Sequence, residues 1–225
     1  MFGAHSGPRI LCTEFVEGVP IDQVAGMDQA VRNRVAELIF RLTIKELFEW
    51  RFMQTDPNWG NFLYDAGAGR LNLIDFGAAK AFPKAFVDEY IKMVKACADR
   101  DRDTVLAAST AMGFLTGDES PVMLDAHCEA AFTVGIPFAT AGGHDFGRGS
   151  EVTGKVGNLG GTILKHRLTP PPDEAYALHR KLAGGFLACI KLRAVVPVRE
   201  IFEEVYDEYA FGEEGGGDEE ARAVA

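Results

Sequence analysis

Asp56 and Asn61 stand five positions apart in Asp56-Pro57-Asn58-Trp59-Gly60-Asn61, and Asp75 follows them directly after the run Leu71-Asn72-Leu73-Ile74. Carboxylate and amide-carbonyl oxygens are hard donors of the kind Mg²⁺ takes. They are also what phosphoryl transfer asks of a protein. The transferred group is so highly charged that catalysis is positioning plus electrostatics: Mg²⁺ bridges the phosphates and a carboxylate orients the nucleophile. In that chemistry Asp75 holds Mg²⁺, Asn61 completes the metal site, and Asp56 positions or deprotonates the attacking hydroxyl or water. Gly77, closing the triplet Asp75-Phe76-Gly77, lets the backbone turn sharply beside the metal.

Such residues need elements to hold them. Between Phe62 and Ile74 two short apolar runs flank the turn-rich Asp65-Ala66-Gly67-Ala68-Gly69-Arg70, which predicts a β-hairpin with Asp56 and Asn61 in the loop before its first strand. Upstream, Arg9–Val16 is rich in apolar and β-branched residues and stops at Glu17-Gly18, which predicts a strand and a turn. From Asp28, a helix N-cap, the spacing of Val31, Val35, Leu38, Ile39, Leu42 and Phe48 predicts an amphipathic helix of about six turns. Further helices are predicted at Lys84–Ala98, after a cap in the charge run ending at Asp103, and at Pro121–Phe138, Thr153–His166, Asp173–Leu192 and Val198–Tyr209. A glycine-rich loop is expected at Ala139–Ser150. It contains a second triplet, Asp145-Phe146-Gly147, which follows Ala141-Gly142-Gly143-His144 rather than an apolar strand, and which reads as loop. Asp56 and Asn61 alone would equally suit a turn built by Asp-Pro and Asn side chains. The order of loop, hairpin and triplet favours the phosphoryl-transfer reading.

Composition narrows the partners. The chain has 225 residues, is 47% hydrophobic, and carries a formal net charge of -10. A surplus of acid argues against a nucleic-acid partner, because phosphate backbones are held by lysine and arginine. Cys12, Cys97, Cys128 and Cys189 are scattered without zinc-site spacing and read as reduced, mostly buried thiols. No apolar run reaches the roughly 20 residues that span a bilayer. Any membrane contact would be peripheral. No targeting signal opens the chain, and its last residues, Gly212–Ala225, have too little apolar content to order themselves.

The departures from an ordinary protein kinase are specific. Gln54-Thr55 precedes Asp56 where His-Arg is usual, Asn58 replaces the lysine two residues further on, and no Ala-Pro-Glu follows Asp75-Phe76-Gly77. A phosphorylation-switched activation segment and a platform for a protein substrate are therefore not expected. These features resemble the UbiB-like (aarF-domain) atypical kinase family. The form Phe52-Met53-Gln54-Thr55-Asp56-Pro57-Asn58-Trp59-Gly60-Asn61-Phe62 with Leu73-Ile74-Asp75-Phe76-Gly77-Ala78-Ala79-Lys80 is similar to its mitochondrial branch, which supports coenzyme Q biosynthesis. The likeness extends through Leu11–Gln23, Ala98–Val105, Met112–Gly117, Asp145–Gly147 and Lys165–Phe186.

The resemblance implies an α+β, mostly α fold: a protein-kinase-like C-lobe whose small hairpin carries the DxxxxN and Asp-Phe-Gly elements. It implies ATP and Mg²⁺ as cofactors, ATPase activity with little protein-kinase activity, and a place on the matrix side of the inner mitochondrial membrane. Lipid or quinone precursors and coenzyme-Q-biosynthesis proteins would be the partners. Residues 1–18 would be a residual strand and hinge, 19–211 the helical C-lobe with family-specific C-terminal helices, and 212–225 a disordered acidic tail. Backbone groups near Glu14 and Val16 would meet the adenine, although a plain buried strand explains the same residues. A nucleotide site also needs an N-lobe lysine on the α- and β-phosphates. The first lysine here is Lys45, inside the long predicted helix. The expectation is thus a C-lobe without its N-lobe, inactive alone and prone to self-association, the other lobe being supplied in cis or in trans. The alternative is an inactive pseudokinase-like module that binds lipid or partner enzymes.

Overall fold

The computed structural model describes residues 1–148 and 150–212. The expected acidic tail, from residue 213 on, lies outside the described residues. Among the described residues, short sheets and eight α-helices follow one another as β1 Val19–Pro20, α1 Ile21–Val24, α2 Gln29–Ile44, β2 Phe52–Gln54, β3 Phe62–Asp65, β4 Arg70–Leu73, β5 Ala79–Ala81 and α3 Lys84–Asp99. Then come α4 Arg102–Ala111, α5 Pro121–Ala139, β6 His144–Asp145, α6 Ser150–His166, α7 Asp173–Leu192, β7 Val195–Val196 and α8 Val198–Glu208. The molecule is mostly helical, and every long helix expected from apolar periodicity forms.

The apolar stripe of α2 continues through one π turn, Lys45–Glu49. Val35, Ile39, Phe40, Ile44, Leu47 and Phe48 are all buried along it, the three- and four-residue spacing that places side chains on one face. Aromatic rings knit this face to its neighbours. Phe138 of α5 sits between Phe40 and Phe202 of α8, at centroid distances of 5.7 and 5.4 Å, and Phe48 meets both Phe202 and Tyr90 of α3. Helix α4 starts on Asp101, within the expected charge run, whose carboxylate accepts the Thr104 N–H at 3.2 Å. Ser120 caps α5 in the same way, with Pro121 in its first turn.

The hairpin forms as expected: β3 and β4 are antiparallel with Phe62 opposite Leu73 and Asp65 opposite Arg70. Asp65 Oδ1 accepts the N–H groups of Gly67 and Ala68, both at 3.0 Å, which folds the turn locally. The strand expected at Arg9–Val16 is not formed. Gly3–His5 makes a 3-10 turn, Gly7 and Ile10 make one isolated bridge, and residues 11–18 run without regular structure. A strand exists only against a partner, and the open edge of β3 is taken by Val19–Pro20 instead. Ile10 and Leu11 are exposed in consequence, and Phe15 is 87% exposed. The expected loop 139–150 also holds more order than periodicity indicates. Its His144–Asp145 pairs with Val195–Val196, and Phe146 begins a 3-10 turn.

The four cysteines are free, with Cys97, Cys128 and Cys189 buried. Among the described residues no helix is long and apolar enough to cross a membrane.

Candidate functional site

The loop between β2 and β3 folds on its own side chains. Asp56 Oδ1 accepts the Asn58 N–H at 3.2 Å, and Asn58 Oδ1 accepts the Gly60 N–H at 3.0 Å, two Asx turns in succession. The Asn61 N–H then closes onto the Asn58 carbonyl at 3.0 Å. This brings Asn61 Nδ2 to 2.9 Å from Asp56 Oδ2. The pattern of spacing alone suggested a turn or a site; the geometry is a turn that ends by locking two polar side chains together.

Asp75 reaches the same place through the hairpin. The ladder that pairs Phe62 with Leu73 continues one rung, with the Ile74 N–H donating to the Asn61 carbonyl at 3.1 Å, and Asp75 is the next residue. Gly77 N–H donates to Asp75 Oδ1 at 2.8 Å. A Cβ on Gly77 would sit 3.2 Å from that oxygen, so the absence of a side chain keeps the turn tight. The backbone then returns through β5, which pairs with β2, and the Ala78 carbonyl accepts both the N–H and the hydroxyl of Thr55, the latter at 2.6 Å. Asp56, Asn61 and Asp75 therefore sit at the open end of one hairpin.

Their donor chemistry fits a hard divalent cation. With its Nδ2 committed to Asp56, Asn61 presents its carbonyl oxygen, and Asp75 keeps Oδ2; neither oxygen has a hydrogen-bond partner among the described residues. Asn61 is buried while Asp56 is half-buried and Asp75 exposed, so the set opens outward. Among the described residues no three His, Cys, Asp or Glu side chains converge to form a closed cage. Mg²⁺ does not need one, because it keeps waters and takes substrate phosphates beside one or two carboxylates.

Glu14 and Val16, the expected adenine contacts, lie on the irregular segment 11–18, exposed and half-buried respectively. One bond ties the end of this segment to the hairpin, from Asn72 Nδ2 to the Glu17 carbonyl at 3.1 Å. The structure brings together Asp56, Asn61 and Asp75, and places Glu14 and Val16 on a separate stretch of chain.

Beneath the loop lies a polar cluster that the motifs did not announce. Lys181 of α7 is 2% exposed, lies 3.0 Å from Glu46 Oε2, donates to Gln54 Oε1 at 3.3 Å, and stands over the Phe62 ring at 5.1 Å. Glu46 Oε1 in turn accepts the Gln54 N–H at 3.2 Å. Burial pushes the Glu46 carboxyl up and the Lys181 ammonium down, and their mutual attraction opposes both shifts. The cluster had a signal in the sequence. Lys181 occupies a position on the Ala175, Leu178, Ala188, Leu192 face where the helical spacing calls for an apolar residue.

Residues 2–109, which carry the loop and the hairpin, match the ABC1 atypical kinase-like domain, and the chain belongs to that family. Over most of its length it is homologous to mitochondrial COQ8 atypical kinases. It is 51% identical over 201 residues to the atypical kinase COQ8B, mitochondrial, of Rattus norvegicus, covering 89% of this chain and 38% of the relative. With the atypical kinase COQ8, mitochondrial, of Saccharomyces cerevisiae the identity is 36% over 208 residues, covering 92% and 41%. The chain thus spans about two fifths of the length of these curated relatives. Among solved structures, the fold is similar to a chain from the complex of Rv3197 with erythromycin from Mycobacterium tuberculosis. The TM-score is 0.65 at 20% identity, covering 85% of this chain and 48% of that one.

Proposed function

We propose that this chain carries the metal-binding half of an ATP- and Mg²⁺-dependent atypical kinase or ATPase that supports coenzyme Q biosynthesis on the matrix side of the inner mitochondrial membrane. The observation that carries the reading is the lock between Asn61 and Asp56 at 2.9 Å, one ladder rung from Asp75. In this reading Asp75 Oδ2 and Asn61 Oδ1 hold Mg²⁺, which when bound neutralises charge on the phosphates. Asp56 Oδ2 stands beside them to orient the attacking hydroxyl or water and to accept its proton. Asn61, by donating to that same oxygen, fixes the direction in which the carboxylate faces.

Two features weigh against a protein substrate. Only Ala78 separates Gly77 from β5, and β5 leads through Phe82 and Pro83 straight into α3, leaving no segment to serve as a peptide platform. Thr55 stands where a protein kinase carries the arginine that grips an activation-loop phosphate. The lysine that would meet the α- and β-phosphates is not among the early residues: Lys45 lies on the π turn and pairs with Glu49 at 3.1 Å. That cation comes from an N-lobe, in cis or in trans. The mitochondrial setting is supported by the names of the COQ8 relatives, and quinone-lipid intermediates and biosynthetic proteins are the partners proposed on the family resemblance.

Calorimetric titration of Mg-ATP into this chain and into Asp75→Asn tests the site, and ATP turnover in a version extended to the length of the relatives tests the reaction. Binding weakened by Asp75→Asn and turnover abolished by it are the expected results. Equal, negligible binding by both proteins together with no turnover in the extended protein would leave only a binding module, whereas undiminished turnover in the extended Asp75→Asn variant would sink the assignment of Asp75.

A further inference from the structure

Helix α7 begins more than a hundred residues after Asp56, yet it touches nearly every residue that leads into and out of that aspartate. Lys181 reaches Gln54, and the neighbouring Arg180 donates from Nε to the Thr55 carbonyl at 3.3 Å and from its terminal nitrogen to Thr55 Oγ1 at 3.4 Å. One turn further on, Gly184 lies against Pro57 so closely that a Cβ there would stand 2.1 Å from the Pro57 Cβ and 3.3 Å from its Cα. The Gly184 carbonyl also accepts the Trp59 indole N–H at 3.4 Å. Asp56 makes no hydrogen bond to α7 among the described residues, though its charge acts on Lys181, and it is flanked by Thr55, bonded to the helix, and Pro57, packed against it.

Resting on the reading of Asp56 as the residue that orients the nucleophile, we propose that α7 is the positioning element of this site. Gly184 seats Pro57, and Lys181 with Glu46 and Arg180 with Thr55 fix Gln54 and Thr55, so that the register of α7 decides where the Asp56 carboxylate stands relative to Asn61. Arg180, Lys181 and Gly184 are positioning residues, acting through the loop and not on the phosphate. The physical case is that a loop of two Asx turns has few bonds of its own to resist displacement, whereas a 20-residue helix packed into the core moves as a rigid piece. Gly184 makes the coupling tight, since two backbones approach this closely only where no side chain intervenes. Burying both charges of the Lys181–Glu46 pair is costly in an apolar interior unless they stay together, which holds the helix in one register over the loop.

Two adjacent glycines separate this idea from ordinary packing. A Cβ on Gly185 would meet open space, so Gly185→Ala changes helix propensity alone, while Gly184→Ala makes the same helix change and also pushes Pro57. The readout is the side-chain amide signal of Asn61 in the NMR spectrum of this chain, since that N–H donates to Asp56. Gly185→Ala is expected to leave the Asn61 signal in place, and Gly184→Ala to displace it and speed its solvent exchange at least tenfold. Glu46→Gln with Lys181→Met, which leaves no unpaired buried charge, and exposed Arg180→Ala are expected to disturb the same signal in proteins that still unfold cooperatively, and they decide the matter if Gly184→Ala does not fold. In the extended enzyme these variants lower kcat with the KM for ATP unchanged. Folded variants that all keep the Asn61 signal of the parent would overturn the proposal. Titration with Mn²⁺ is a separate arm: failure to broaden Asn61 and Asp75 signals in the parent would sink the metal site, while the metal-free comparison of glycines would still decide the role of α7.

Discussion

In Asp75-Phe76-Gly77 and in Asp145-Phe146-Gly147 the backbone does the same thing. The glycine N–H donates to the aspartate Oδ1 at 2.8 Å in both. The phenylalanines part company. Phe76 is 61% exposed, while Phe146 is 2% exposed, with the His144 ring edge-on at 4.6 Å and Phe186 of α7 at 5.8 Å. The neighbours of the aspartates differ as well. Asp75 follows a residue bonded to Asn61, whereas Asp145 belongs to β6, which pairs with Val195–Val196, and its Oδ2 faces Arg148 at 3.5 Å. A three-residue sequence therefore specifies a turn, and the surroundings decide whether that turn leaves its ring at the surface or anchors it in the core.

The largest difference should appear in catalysis. Asp75→Asn keeps an oxygen for the Gly77 N–H but loses the charge, and in an extended enzyme it should reduce ATP turnover at least about a hundredfold, since metal-borne charge stabilisation is worth several kcal/mol. Asp145→Asn should leave turnover within about twofold in the same steady-state assay, and equal losses would erase the distinction between the triplets. Stability should rank them the other way. Phe146→Ala empties a buried ring site and is expected to cost about 3–5 kcal/mol in denaturant unfolding, against no more than about 0.5 kcal/mol for Phe76→Ala at the surface. A similar loss for Phe76→Ala would mean that its ring is covered in solution.

Smaller effects sharpen the contrast. A Cβ on Gly147 would stand 2.9 Å from Asp145 Oδ1 and 3.6 Å from the Arg193 Cβ, so Gly147→Ala should destabilise the chain by about 1–2 kcal/mol, more than Gly77→Ala, whose only close contact is at 3.2 Å. The smallest is a pH effect at His144, beside the second triplet. Burial lowers the His144 pKa, partly opposed by the Asp145 charge. The unfolded chain then takes up the proton more readily than the folded one, so the contribution of His144 is full above its unfolded pKa of about 6.5 and is lost as pH falls through that value towards the lower folded one. Thermal melts should show His144→Gln losing less stability than the parent between pH 7 and pH 5; parallel curves would remove His144 from the account.

Much of this was legible from local pattern. The Val35, Ile39, Phe40 spacing gives α2, and the Asp65 to Arg70 turn residues give the hairpin, because bonds that close over four or fewer residues depend on few neighbours. The order Asp56, Asn61, Asp75 along a loop and a hairpin likewise requires only that the hairpin form in register. Arg9–Val16 misled because strand propensity is a statement about pairing, and the pairing edge went to Val19–Pro20. Left to itself, then, the sequence determined its helices, its Asx turns and the three residues that meet at the hairpin's end. The tertiary structure alone decided that Phe146 is buried while Phe76 is exposed, that Lys181 is matched by Glu46, and that Gly184 bears on Pro57, because those contacts join segments far apart in the chain and exist only once the helices between them have packed.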